Sequence, residues 1–274
     1  MRPIPTPRAA VDRGPRIVVG TDSSRWGRLA VHWAAAHAWL AKATLELVGG
    51  PEPESESDPR LDLAREFPAL PVISRRTADT VTGLVDAAAG AELVVLGRRG
   101  HQHGGDGLGS NVLPVAEQAR CDVLVVGGRM TAIHGDHRWI SVVLGSAADP
   151  FALRSAARLA ALRSARLRIL YGPAWSDRRA PTQPIDRCLS VLRQAARLVS
   201  DVEPTVPTVT ELMSADPKAD IARPDHTDVL VVGVGRRLNP LALAALERAE
   251  SPVLVAHPKT TRSGITLPAA RSAQ

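Results

Sequence analysis

The residues best equipped for chemistry lie between positions 93 and 111. Gly97, Arg99 and Gly100 follow the apolar run Leu93-Val94-Val95-Leu96, and Gly109-Ser110-Asn111 close a stretch that includes Gly104, Gly105 and Gly107. Bare glycine amides after a strand, with a serine placed to cap the next helix, set N–H groups and a positive helix end around one concavity. A phosphate group is what such a concavity suits, so the segment reads as a nucleotide-phosphate cradle. Arg99 stands between two of its glycines as a source of positive charge. A Walker lysine is missing, because lysine occurs only at Lys42, Lys218 and Lys259. No nucleophile stands beside a base, and no pair of carboxylates is set for acid–base work. The chemistry expected is binding rather than turnover.

A cradle of this kind needs a sheet edge to hold it. Residues 16–20 (Arg-Ile-Val-Val-Gly) read as a buried strand running into Thr21-Asp22-Ser23-Ser24, with Ser24 as N-cap of a helix whose face carries Leu29, Trp33, Ala36 and Leu40. Residues 45–48 are the next strand, ended by Gly49-Gly50, and 51–59 an acidic, proline-broken loop. A short helical patch at 61–67, a strand at 72–76 and a helix carrying Val81, Leu84, Val85 and Ala88 lead into the cradle strand. A helix from about 111 to 120 and a strand at 123–126 follow. Alternating strands and helices predict a parallel sheet with helices on both faces and all strand C-termini at one edge. Ligands bind at that edge. Gly20-Thr21-Asp22, Gly50 and Gly97 all sit at strand C-terminal ends, so one crevice can collect them.

The second half repeats the first. Residues 140–144, 167–172, 229–233 and 252–255 match the strands at 16–20, 45–50, 93–97 and 122–125, with further helices at 149–163 and 185–200 and a strand at 205–212. The fold class expected is α/β: two tandem doubly wound, Rossmann-like domains, 14–130 and 138–257, each a five-stranded parallel sheet flanked by helices. Flexible tails at 1–13 and 258–274 are expected outside them. The copies differ at the cradle. From Gly97 to Val123 is 26 positions and from Gly233 to Val253 only 20, which removes any counterpart of Gly100 and Gly109-Ser110. Asp22 aligns with Ser146. The second copy keeps a core and loses the cradle.

Composition narrows the classes further. The chain has 274 residues, is 45% hydrophobic but 3% aromatic, and carries a net charge of +6, almost all of its positive charge being arginine. The arginines are scattered along helices without interleaved aromatics, which argues against a nucleic-acid surface. No apolar run approaches the ~20 residues of a membrane helix, and the first 13 residues, with three prolines and no apolar core, do not resemble a signal peptide. Two cysteines, Cys121 and Cys188, are too few for a disulfide framework, so a reduced, cytoplasmic setting is expected. His101 and His103 with Asp106, and His134 with His137, lack the spacing of a structural metal site. The Trp26, Trp33 and Trp39 set is expected to pack a helix.

With these residues on the page, the sequence resembles a tandem universal stress protein over roughly 14–257. Nucleotide-binding members of that family carry Gly-x2-Gly-x9-Gly-(Ser/Thr) after the fourth strand and an aspartate at the end of the first. Gly97, Gly100 and Gly109-Ser110 match with a spacer of eight residues in place of nine, and Asp22 matches the aspartate. The resemblance implies ATP with Mg, held by Gly20, Thr21, Asp22, Gly50, Gly97, Arg99, Gly100, Gly109, Ser110 and Asn111. Gly50 would meet the adenine, Asp22 the ribose and the phosphate-bound metal, and the amides near Gly100 and Ser110 the phosphates. The role implied is regulatory. Residues 123–126 and 253–255 would pair the two halves as a pseudo-dimer inside one chain, with homodimers a further option. Three rivals stand beside this reading: a tandem scaffold that binds no nucleotide, a slow ATP-hydrolysing or adenylyl-transfer enzyme, and, least favoured, a nucleic-acid-binding protein.

Overall fold

The unalternating apolar runs become the middle of one sheet. The computed structural model describes residues 14–22, 24–50, 59–100, 107–145, 149–172, 184–213, 221, 226–235 and 237–258. The first half runs β1 (Arg16–Thr21), α1 (Arg25–Leu40), β2 (Thr44–Gly49), α2 (Pro59–Glu66), β3 (Val72–Arg76), α3 (Thr80–Ala88), β4 (Leu93–Gly97), α4 (Val112–Gln118) and β5 (Asp122–Val126). A short helix, α5 (Met130–His134), lies in the joining segment, where no element was expected. The second half runs β6 (Trp139–Leu144), α6 (Pro150–Leu162), β7 (Arg166–Tyr171), α7 (Ile185–Val202), β8 (Thr208–Leu212), β9 (Val229–Gly233), α8 (Pro240–Arg248) and β10 (Val253–Ala256).

Strand order is β3-β2-β1-β4-β5-β10-β9-β6-β7-β8 in a single ten-stranded sheet. Within each half every pairing is parallel, as right-handed crossovers through helices require. The halves join at the antiparallel pair β5·β10, with Val123 opposite Val255, Leu124 opposite Leu254 and Val125 opposite Val253. Five parallel strands per half were expected; their fusion into one sheet follows from that seam. Residues alternate across it into both cores. Leu124 and Leu254 face the layer that holds α1, α6 and α7, while Val123, Val125, Val253 and Val255 face the layer that holds α3, α4 and α8. The edge strands β3 and β8 are exposed and charged, carrying Arg75, Arg76 and Glu211, which discourages edge-to-edge association.

Helix α1 departs from its sequence reading. Leu40 is exposed and Leu29 and Ala36 only half-buried, whereas Ala30, Ala34, Ala35 and Ala38 are fully buried with Trp33. The helix lies so close to the sheet that small residues must face it; a methyl on Gly97 would stand 2.6 Å from the Trp26 carbonyl carbon. Of the three tryptophans, Trp33 packs in the core and Trp39 is exposed. Both cysteines are buried, and neither forms a disulfide.

Two buried polar arrangements lend themselves to measurement. Glu46, in the middle of β2 and 1% exposed, takes Arg16 Nη1 at 2.5 Å and Arg75 Nε at 2.8 Å. Removing its charge leaves two guanidiniums facing a neutral amide, so Glu46→Gln should cost about 2 kcal/mol in urea unfolding. His37 on α1 stacks on Trp33 at 5.1 Å, and Arg163, just past α6, lies 4.0 Å over the same indole. Burial first, and then the Arg163 charge, hold His37 down to about 3. The unfolded chain therefore takes up a proton that the folded chain refuses. Stability due to neutral His37 is complete above about pH 6.5 and is lost as pH falls toward 3, at up to about 1.4 kcal/mol per pH unit. Urea midpoints taken between pH 7.5 and 4.5 should fall less steeply for His37→Phe than for the natural chain.

Candidate functional site

The C-terminal edge of β1 and β4 opens into a cleft of about 330 Å³. Gly20, Thr21 and Asp22 line it from the end of β1, and Gly97, Arg99 and Gly100 from the end of β4. Gly109, Ser110 and Asn111 enter from the segment before α4. Further contributors gave no motif in the sequence: Thr80 and Leu84 on α3, Leu96 on β4 and Val112 form a wall, and Gly27 comes from the first turn of α1. Their signal was topological, since α3 and the ends of β1 and β4 meet at the switch point of the strand order. Gly50 does not line the cleft. It stands past the end of β2 with open space around its Cα, because β2 lies on the far side of β1 from β4.

Asp22, itself exposed, lies beside two glycines. Its Oδ1 accepts the Ser24 N–H at 3.1 Å, and the same oxygen crowds the position a side chain on Gly27 would need. A methyl on Gly100 would come within 2.7 Å of Oδ2. Ser24 caps α1 as expected, its Oγ accepting the Gly27 N–H at 2.9 Å. The same hydroxyl lies 3.4 Å from the Arg99 carbonyl oxygen, and donates to it, which ties the cradle to the start of α1. The carboxylate therefore lies against Gly27 and Gly100, in space left open because neither residue carries a side chain.

The cradle itself corrects three details. Gly109 N–H is engaged by the Arg98 carbonyl at 2.8 Å, so it does not face a ligand. Ser110 is not a helix cap: α4 begins one residue later, with Asn111 in the cap position and no side-chain cap bond. Arg99 bends back, its Nε donating to the Gly107 carbonyl at 3.1 Å. The donors available, with no acceptor among the described residues, are the N–H groups of Gly100, Ser110 and Asn111. With Ser110 Oγ they make a neutral donor set in a cleft that Asp22 also lines. Phosphate oxygens fit such donors, and a divalent cation between Asp22 and a phosphate would cancel their repulsion.

Arg98, which the sequence did not single out, fastens this loop to the other half. Its N–H donates to the Val126 carbonyl at 2.8 Å. Its side chain runs along Gly127, where a methyl would meet Cδ at 2.6 Å, and its Nη1 donates to the Ala249 carbonyl at 3.0 Å. Nη2 donates to the Glu247 carbonyl. Nothing in the sequence pairs positions 98 and 249.

The second half lines the equivalent strand end with different residues. Registers Ile17↔Leu93 and Ile140↔Val229 equate Asp22 with Gly145, one residue before the sequence alignment placed it; Ser146 itself lies outside the described residues. The N-cap Asp149 pushes its carboxylate against Gly233, where a methyl would stand 2.7 Å from Cγ. Asn239 caps α8 and donates from Nδ2 to the Gly233 carbonyl at 2.9 Å. The shortened connection thus folds onto the strand end. His101, His103 and Asp106 lie outside the described residues, and among the described ones no group of three or more His, Cys, Asp or Glu is set for a metal. Nor is any described helix long and apolar enough to cross a membrane.

No protein-family model matches the sequence, and no curated protein matches it. Solved structures do. A universal stress protein from Archaeoglobus fulgidus aligns over 89% of this chain and 97% of its own, at 12% identity and a TM-score of 0.63. A functionally unknown protein from Pseudomonas aeruginosa aligns over 89% and 92%, at 18% identity and 0.57. The cytoplasmic domain of a prokaryotic cation chloride cotransporter aligns over 89% and 95%, at 15% identity and 0.59. Likeness at this identity speaks for architecture, and the same architecture serves unrelated settings. The chain has the universal stress protein fold, Rossmann-like and built twice along one sheet.

Proposed function

We infer that the chain is a regulatory protein that binds an adenine nucleotide, ATP with Mg, in the cleft of its first half. The observation that carries this reading is one cleft lined both by Asp22, which lies beside Gly27 and Gly100, and by Gly100, Ser110 and Asn111, whose backbone N–H groups have no acceptor among the described residues. The cleft volume of about 330 Å³ lies at the lower end of the range for small-molecule sites, about 300–1,000 Å³. Leu84, Leu96 and Val112 offer an apolar wall for a ring. The Mg ion would sit against Asp22 and supply charge compensation to the phosphates.

Binding is favoured over turnover because the described lining has one carboxylate, no lysine and an arginine already bent to Gly107. Phosphoryl transfer needs groups that neutralise developing charge. The second half, with Asp149 and Asn239 set against Gly233 and no counterpart of the Gly100 and Gly109-Ser110 cradle, serves as pairing partner and interaction surface. In this reading residues 14–130 and 138–257 are the two units, working in a cytoplasmic setting, and association into homodimers is a further level. The engagement of Gly109 N–H favours the rival scaffold that binds no nucleotide. Isothermal titration with Mg-ATP separates them: heat with a 1:1 stoichiometry supports the nucleotide reading. A silent titration at ~100 µM protein, with no nucleotide released by acid, leaves the scaffold.

A further inference from the structure

We propose that Arg98 couples occupancy of the nucleotide cleft to the C-terminal end of α8 in the other half, so that the cleft is regulated from across the seam. The proposal rests on the nucleotide reading above and adds a direction for its signal. Arg98 lies between the two glycines that open the cradle, and its backbone carbonyl fixes Gly109 at 2.8 Å, next to the Ser110 and Asn111 amides. Its guanidinium crosses the seam and satisfies the carbonyls of Glu247 and Ala249, two of the acceptors that the end of α8 leaves without helical partners. One residue therefore touches both places, the cradle through its backbone and α8 through its side chain. A phosphate that draws the Gly100 and Ser110 amides inward moves the Arg98 backbone, and the guanidinium must follow or release α8.

The surroundings make that transmission stiff. Gly127 packs against the Arg98 methylenes, which run where a side chain at 127 would stand. Gly128 touches the Glu250 backbone, Arg129 N–H donates to the Glu250 carbonyl at 2.8 Å, and the Arg129 and Glu250 side chains pair at the surface. The positive charge also suits the negative end of α8. By linkage, whatever stabilises α8 with its end capped changes nucleotide affinity by the same factor that the nucleotide changes α8.

Hydrogen exchange on the full chain with and without Mg-ATP tests this, read at amides of residues 107–112 and 240–250. In the natural chain Mg-ATP should raise protection at both, by about fivefold at 240–250. Arg98→Met should keep the gain at 107–112, lose it at 240–250, and bind Mg-ATP about fivefold more weakly. Arg129→Met, which removes the neighbouring ion pair and leaves the cradle untouched, should keep both gains and shows that a weakened seam is not the cause. The proposal is overturned if Mg-ATP binds the natural chain without protecting 240–250. It is equally overturned if Arg98→Met retains that protection, or if Arg129→Met abolishes it. Failure of Mg-ATP to bind the natural chain removes the nucleotide reading and this coupling together.

Discussion

Gly100→Val should lower Mg-ATP affinity by at least about 100-fold, roughly 2.7 kcal/mol, with little change in thermal stability. The Cβ direction at Gly100 leads straight to Asp22, 2.7 Å from Oδ2, and that carboxylate is anchored by the Ser24 amide. A valine there fills the gap between the carboxylate and the cradle amides, so cation, phosphate and side chain compete for one space. The fold tolerates it because Gly100 is half-exposed and the obstructing atom is the end of a side chain. Titration calorimetry gives the affinity and a melting curve the control. Gly109→Val is the weaker probe, since its Cβ would meet nothing nearer than 3.4 Å and its N–H is turned to Arg98. An undiminished affinity in Gly100→Val would place the nucleotide elsewhere.

Gly128→Ala should be the most damaging single methyl among the described glycines, at about 4 kcal/mol, or about 8–16 °C in melting temperature. Gly128 has φ +93°, and a methyl there would be forced into the Glu250 carbonyl and stand 2.5 Å from the Ser251 nitrogen. Both obstacles are backbone, so no rotamer relieves them. The seam itself must part. Gly90 supplies the matched control: φ +79°, with nothing within 4 Å of an added methyl. Gly90→Ala therefore carries the left-handed strain alone, about 1 kcal/mol or about 3 °C. The gap between the two melting temperatures measures how closely the halves are pressed together. Equal losses would mean that the contact at Gly128 gives way freely.

The sequence by itself determined most of the elements and their repetition; helices α5 and α8 were not among those read from it. Buried strands such as β4 and β5 need no alternation, so their apolar runs are legible as they stand, and a repeated run of strands in one order implies a repeated unit. It also marked most of the cleft, because residues just after strand ends share one edge of a parallel sheet. Nine of the ten residues named from the sequence surround the cleft, and the exception, Gly50, belongs to a strand one place too far from β4. The six residues missing from the second copy were legible for a simpler reason. Their absence is a matter of chain length, which needs no coordinates.

Tertiary structure alone decided the rest. Which amides remain open depends on acceptors brought from elsewhere, so the engagement of Gly109 by Arg98 and the bare cap at Asn111 could not be read from spacing. The inward face of α1 depended on how close the helix approaches the sheet, which made alanines, and not the leucine stripe, the buried side. Arg98 looked like one more arginine until the antiparallel pairing of β5 with β10 carried α8 to it. Local pattern encodes what each segment buries. Partners 151 positions apart meet only when the two halves of the sheet close on one another, and that closure is a property of the whole chain.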